Sequence, residues 1–211
     1  MRTLVIASQK GGVGKTTIAG HLSVMAEAHQ AGPVALIDTD PQGSLSSWWN
    51  ERAAETPLFA SVQISNLKTH LKSLAAEGVK LVIIDTPPAV TETIKAVLAV
   101  ADLVLIPTRP SPHDLRAVGS TVELVEQCGK RMIFVINGAA NRARITGDAA
   151  IALSQHGTVA PVTLYQRTDF AASMIDGRTA QEIDKHSKSA SEVEQLWIYV
   201  ATQLRKYANT N

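Results

Sequence analysis

The chain has 211 residues, 45% hydrophobic and 18% charged, enough for one sizeable core and short for two. Twenty Lys and Arg against nineteen Asp and Glu leave a net charge of +1, which excludes a polycationic nucleic-acid coat and an acidic solvating tail and argues against disorder. A single cysteine, Cys128, excludes a disulfide framework, a CxxC redox pair and a four-thiolate metal site within one subunit.

In chain order, short apolar runs alternate with longer amphipathic segments, the pattern of a parallel sheet with crossover helices. Thr3 to Ala7 reads as a buried strand, and Val34–Ile37, Leu81–Ile84, Leu103–Ile106 and Met132–Ile136 repeat the type. Val159 to Leu164 is a weaker strand interrupted by Pro161. Between them, Thr16 to Gln30 is helical and ends at Gly32-Pro33. Asn66 is placed to cap a helix whose Leu67, Leu71, Leu74 and Ala75 share a face, with Gly78 as terminator. Another helix starts at Ser111 or Ser120, runs through Gln127 and ends at Gly129. Cys128 reads as a packing residue beside it. The closing helix carries Val193, Leu196, Trp197, Val200, Ala201 and Leu204 at core-facing spacing. The expected fold is α/β, one doubly wound, mostly parallel sheet with helices on both faces, as a single domain over residues 1–211. No apolar run approaches the ~18 residues of a membrane span, and no signal-peptide layout opens the chain, so a cytoplasmic protein is expected.

Three segments carry chemistry. Ser8-Gln-Lys-Gly-Gly-Val-Gly-Lys-Thr-Thr17 lies between the first strand and the first helix. Its glycines let the backbone turn around an anion, and successive N–H groups and the helix N-terminus point at it. Lys15 supplies charge for β- and γ-phosphates, the Thr16 hydroxyl suits Mg²⁺, and Thr17 reaches toward an α-phosphate. Asp38-Thr-Asp-Pro-Gln-Gly43 then places two carboxylates on one side of an extended segment at the end of the second strand. Beside a triphosphate they would repel it unless Mg²⁺ or water intervened; the plainer alternative is that they cap the next helix. Leu81-Val-Ile-Ile-Asp85 is four apolar residues followed by an acid, a layout in which Asp85 acts on Mg²⁺ directly or through water.

The loop departs from G-x-x-x-x-G-K-[ST], because Gln9 stands where the first glycine belongs and the loop begins Lys10-Gly11-Gly12. This deviant P-loop, Lys10-Gly11-Gly12-Val13-Gly14-Lys15-Thr16, resembles that of the ParA/MinD family of P-loop ATPases. The resemblance extends through Asp38 to Gly43, Asp85 with Thr86-Pro87-Pro88, the Ala101–Leu115 stretch and, more loosely, Phe134–Asn137 and Tyr165–Phe170. It implies ATP and Mg²⁺ as cofactors, with Gly11, Gly12, Val13, Gly14, Lys15, Thr16 and Thr17 cradling phosphates. Lys10 would reach nucleotide across a dimer interface, and Asp40 would orient the hydrolytic water. Asp38 would support it near Mg²⁺, with Thr16 and Asp85 as metal-site residues. Asn137 is either an adenine contact or a plain turn residue.

On this resemblance the expected protein is a DNA-partition or cargo-positioning ATPase, nucleoid-associated, of the kind that serves plasmid partition or chromosome segregation. It would form a homodimer on ATP, bind nonspecific DNA as that dimer, and be released when a ParB-like or centromere-binding partner stimulates hydrolysis. The chain opens directly on its first strand, so no operator-reading helix-turn-helix is expected before it. DNA contacts would come from Arg142, Arg144, Arg167, Arg178, Lys185, Lys188, Arg205 and Lys206. Residues 106–211 hold eight of the ten arginines and twelve cations against ten acids, whereas residues 1–105 hold eight against nine. Two alternatives stay open. One is a MinD-like membrane-positioning ATPase, disfavoured because the closing helix reads as core and the tail from Tyr207 to Asn211 is polar. The other is the same chemistry applied to a protein cargo. One cysteine disfavours the iron–sulfur relatives. Of Trp48 and Trp49, at least one is expected in the core.

Overall fold

A computed structural model describes residues 1–88 and 92–206, with the side chain of Glu92 left aside. Seven strands form one sheet: β1 (Arg2–Ile6), β2 (Val34–Asp38), β3 (Leu58–Phe59), β4 (Leu81–Asp85), β5 (Leu103–Thr108), β6 (Met132–Ala139) and β7 (Thr158–Tyr165). Their order is β3-β2-β4-β1-β5-β6-β7, and every pairing is parallel. The helices are α1 (Lys15–Ala28), α2 (Ser44–Asn50), α3 (Leu67–Ala76), α4 (Glu92–Ala99), α5 (Pro112–Gln127), α6 (Arg144–Ser154), α7 (Thr168–Ser173), α8 (Ala180–Ile183) and α9 (Lys188–Lys206).

The uniformly apolar strands are explained by two cores, one on each face. On one face Leu4, Ile6, Leu36, Ile83 and Leu105 meet Ile18 and Leu22 of α1, Trp48 of α2 and the stripe of α9. On the other, Val5, Ile37, Val82, Ile84, Val104 and Phe134 meet α3, α4, α5 and α6. In the closing helix Val193, Leu196, Trp197, Val200 and Leu204 are buried as their spacing predicts, and Ala201 is half-buried. That stripe is spent on the core. Among the described residues no helix is long and apolar enough to cross a membrane. The polar tail falls at residues 207–211, outside the described residues.

Some local expectations change. Asn66 ends a short 3-10 turn (Ile64–Asn66) and its side chain makes no capping bond to α3. On α3, Leu67 and Leu71 are buried but Ala75 is exposed. Ser111, not Ser120, starts α5: its hydroxyl accepts the Asp114 N–H at 3.1 Å, with Pro112 as the first helical residue. Cys128 ends α5, half-buried against the second core. The two-residue β3 and helices α2, α4, α6, α7 and α8 add elements that periodicity alone does not mark.

The order of the strands matters for function. The chain works outward from β1 to β2 and β3, returns as β4, then crosses β1 to build β5, β6 and β7. Connections thus diverge around β1, and the crevice beyond its carboxyl end is where such sheets hold ligands.

Candidate functional site

At that crevice the loop from Ser8 to Gly14 joins β1 to α1. It is anchored from α5: the Gln9 N–H donates to Thr121 Oγ1 at 3.1 Å, and Gln9 Nε2 donates to the Ser120 carbonyl at 2.9 Å. The crest is held from β6, where Asn137 Nδ2 donates to the Val13 carbonyl at 2.6 Å. Gly14 has φ +90°, and a Cβ there would lie 2.3 Å from Asn137 Nδ2, so only glycine fits. Asn137 therefore buttresses the loop, its amide donor committed to Val13.

Lys15 is buried, with its ammonium 3.4 Å from the Lys10 carbonyl it donates to. Burial lowers its pKa, and the nearby Asp85 and Asp40 carboxylates oppose that shift. Lys10 is exposed, and its side chain has no hydrogen bond or ion pair among the described residues.

Parallel register brings the acids together. Asp85 pairs with Ile6 of β1 on one side and with Asp38 of β2 on the other. Asp85 is 1% exposed; its Oδ2 accepts the Thr16 hydroxyl at 2.6 Å and its Oδ1 is buried with no partner. Burial, aided by the like charges of Asp38 and Asp40, pushes its pKa up to about 7, against the pull of Thr16 and Lys15. A buried carboxylate with one orphaned oxygen, beside a threonine hydroxyl, is a donor set suited to a hard divalent cation. Among the described residues no group of three or more His, Cys, Asp or Glu forms a metal cage. A cation here would complete its shell from phosphate and water.

The two acids of the second segment are used differently. Asp38 Oδ1 accepts the Asp40 N–H and Oδ2 accepts the Ser46 N–H, each at 3.0 Å, so Asp38 fixes the turn and caps the first turn of α2. Asp40 Oδ1 accepts the Gln42 N–H at 3.0 Å, and its side chain lines the open cavity over the loop. That cavity holds about 770 Å³ and is walled by Gly11, Gly12, Lys15, Thr16, Asp40 and Trp48 among others. A smaller, more apolar cavity of about 240 Å³ adjoins it, with Ile18, His21, Asn137, Leu164 and Phe170 in its walls. Gly14, Thr17, Arg109 and Ala171 line both and form the neck between them. The arrangement suits an elongated anion with an apolar head, the shape of a nucleotide.

Sequence reasoning missed the framework that closes the far wall. His21, one turn beyond Thr17, is fully buried; its Nδ1–H donates to the Thr17 carbonyl at 2.8 Å, and its Nε2 accepts the Ala180 N–H at 3.1 Å. Phe170 meets its ring edge-on at 5.2 Å. Trp48 is buried and donates its indole N–H to the Arg178 carbonyl at 3.0 Å; half-buried Trp49 donates to the Pro57 carbonyl. Arg52 packs over the Trp48 ring and bonds the Gly177 carbonyl, the Thr56 carbonyl at 2.8 Å and Glu182 at 2.8 Å. These contacts tie α1 and α2 to the 170–182 segment. Arg109 was also missed; its only sequence signal is its place as the first residue beyond a buried central strand.

The family model for the CobQ/CobB/MinD/ParA nucleotide binding domain matches residues 4–204. A relative, "Maintenance of carboxysome distribution protein A" of Halothiobacillus neapolitanus, is 32% identical over 209 residues, covering 92% of this chain and 94% of its own length. Among solved structures, apo McdA from Cyanothece superposes with a TM-score of 0.80 at 21% identity, over 97% of this chain and 99% of that one. A plasmid partition protein of Borrelia burgdorferi bound to AMPPNP superposes with a TM-score of 0.77 at 20% identity, over 96% of this chain and 99% of that one.

Proposed function

Because the chain belongs to the CobQ/CobB/MinD/ParA family of nucleotide-binding proteins, we propose that it is a Mg²⁺-dependent ATPase that positions a cargo on DNA. It acts as a single domain over residues 1–211, pairs with a second copy on binding ATP, holds nonspecific DNA as that pair, and lets go when a partner stimulates hydrolysis. The observation that carries the reading is the Thr16–Asp85 contact of 2.6 Å beneath a loop bearing Lys15 and Lys10.

In this reading the loop amides from Gly11 to Thr17 and the Lys15 ammonium take the β- and γ-phosphates, and the base enters the apolar cavity beside Asn137. Thr16 and Asp85 would hold Mg²⁺, which would supply positive charge against the phosphate oxygens. Asp40, on the cavity wall, orients the attacking water, and Asp38 positions Asp40 through its N–H while remaining close to the metal site. Phosphoryl transfer needs little beyond placement and charge neutralisation, so a cation missing from one subunit throttles it. The exposed, unpaired Lys10 supplies that cation from the second copy, which couples hydrolysis to pairing.

The cargo is read two ways. Plasmid or chromosome partition follows from the motif resemblance. A protein cargo is favoured by the 32% identity over almost the whole chain to a protein named for carboxysome distribution.

The test is gel filtration of the protein with ADP and with a non-hydrolysable ATP analogue and Mg²⁺, followed by DNA binding on the same samples. A dimer and DNA retention only with the analogue are expected. DNA binding of equal strength without nucleotide would overturn the coupling, and absence of any nucleotide binding would overturn the ATPase reading itself.

A further inference from the structure

We propose that Arg109 is a nucleotide-binding residue that takes the α-phosphate and ribose stretch of the ligand at the neck between the two cavities. The inference rests on the nucleotide reading above and adds a cation that the P-loop motifs do not contain. Three observations carry it. Arg109 follows β5 directly, and β5 lies between β1, which leads into the loop, and β6, which supplies Asn137. A tight turn, in which the Ser111 N–H donates to the Arg109 carbonyl at 2.8 Å, holds it at the carboxyl end of β5 between Thr108 and Pro110. Its stem lies over Gly138: a Cβ at Gly138 would stand 3.6 Å from Arg109 Nε and 3.7 Å from its Cγ. At those distances a side chain at Gly138 would only touch the stem; it is the φ of +65° that favours glycine there.

The second observation is position. Arg109 shares the neck with Gly14, Thr17 and Ala171, where a ligand with its phosphates over Lys15 and its base beside Asn137 must pass. The third is charge. The guanidinium has no hydrogen bond or ion pair among the described residues, so all its donors are free for a ligand. The larger cavity is lined by two cations, Lys15 and Arg109, and two carboxylates, Asp40 and Glu51. Without Arg109 it would present one cation to two carboxylates, a poor receptacle for a polyphosphate. Because the α-phosphate and ribose are common to ADP and ATP, Arg109 holds both equally. Lys15, which faces the outer phosphates, separates them.

The experiment is calorimetric titration of ADP and of a non-hydrolysable ATP analogue into wild-type protein, Arg109→Gln and Arg109→Lys, with thermal midpoints to confirm folding. Loss of one charge-assisted contact predicts that Arg109→Gln binds both nucleotides about tenfold more weakly, by the same factor. Arg109→Lys should recover most of that loss. Unchanged ADP affinity in Arg109→Gln would overturn the proposal, as would a loss confined to the triphosphate. Failure of the wild type to bind either nucleotide would instead sink the nucleotide reading, so the two failures are distinct.

Discussion

At Gly14 two independent constraints meet, a φ of +90° and an Asn137 amide where a side chain would begin. Gly14→Ala has to move Asn137 off the Val13 carbonyl or distort the crest, and either cost is about 1–3 kcal/mol of local strain. The expected outcome is a folded protein with a lowered thermal midpoint and nucleotide affinity reduced at least about tenfold, read by thermal denaturation and calorimetry. Asp85 predicts the opposite sign for stability. Its carboxylate is buried with one oxygen unpartnered, and burial pushes its pKa up to about 7, so ionisation is carried at a cost in the protein without nucleotide. Asp85→Asn should raise the midpoint at pH 8, by about 1 kcal/mol of stability. Mg²⁺-supported ATP turnover should fall below detection in a phosphate-release assay. A variant both less stable and fully active would show that Asp85 is a framework residue.

Between elements, the contacts that position the site are those joining α1 and α2 to the segment through α7 and α8. His21 is locked as the Nδ1–H tautomer, since Nε2 accepts from Ala180 and Nδ1 faces the Thr17 carbonyl. Burial pushes its pKa down to about 4, against an ordinary 6.5. Between those values the unfolded chain binds the proton and the fold does not, so stability is complete above pH 6.5 and declines as pH falls toward 4. The loss amounts to about 2 kcal/mol by pH 5 and about 3 kcal/mol by pH 4. Urea denaturation at pH 7 and pH 5 checks this, with His21→Gln expected to lose that part of the pH dependence. Arg52, whose side chain is 2% exposed, joins α2 to Glu182 through a bond of 2.8 Å. Arg52→Ala leaves the Glu182 carboxylate without that partner and should cost about 3 kcal/mol, with α2 and therefore Asp40 less firmly placed. Here the limits of sequence reading become physical. Strands β1, β4 and β5 and the glycine loop were legible because their signals are local: apolar runs, turn residues, a lysine and threonine at fixed offsets. The partnerships His21–Ala180, Trp48–Arg178 and Arg52–Glu182 span 130 residues or more, and no periodicity announces them. Asn66 looked like a cap by composition, but the 3-10 turn before it takes over the entry to α3. Asp38 carried both readings at once, and its two oxygens lie on backbone N–H groups of the turn and of α2.

For the whole molecule, the near-neutral charge and the free Lys10 bear on one part of the proposed function: how a protein with a net charge of +1 would hold DNA on demand. Two of the candidate DNA cations are already neutralised locally, Arg167 against Glu192 and Arg178 against Asp176. Arg142, Arg144, Lys185 and Lys188 are exposed and carry no ion pair among the described residues. In the proposed function, so small a set per protomer would give weak DNA binding at physiological salt, because affinity rises steeply with the number of phosphates neutralised. Pairing two protomers doubles that number without changing any residue. The slope of log affinity against log salt reports it directly, at roughly 0.9 per phosphate contact. With a non-hydrolysable ATP analogue, the wild type should bind duplex DNA with a slope about twice that of Lys10→Ala held monomeric. Removing the nucleotide should bring the wild type down to the variant's line. Titrations by fluorescence anisotropy from 50 to 200 mM salt, roughly the range over which counterion release dominates, provide the measurement. If Lys10→Ala and the wild type share one slope with and without nucleotide, pairing is not what turns DNA binding on, and the exposed lysine belongs to some other contact.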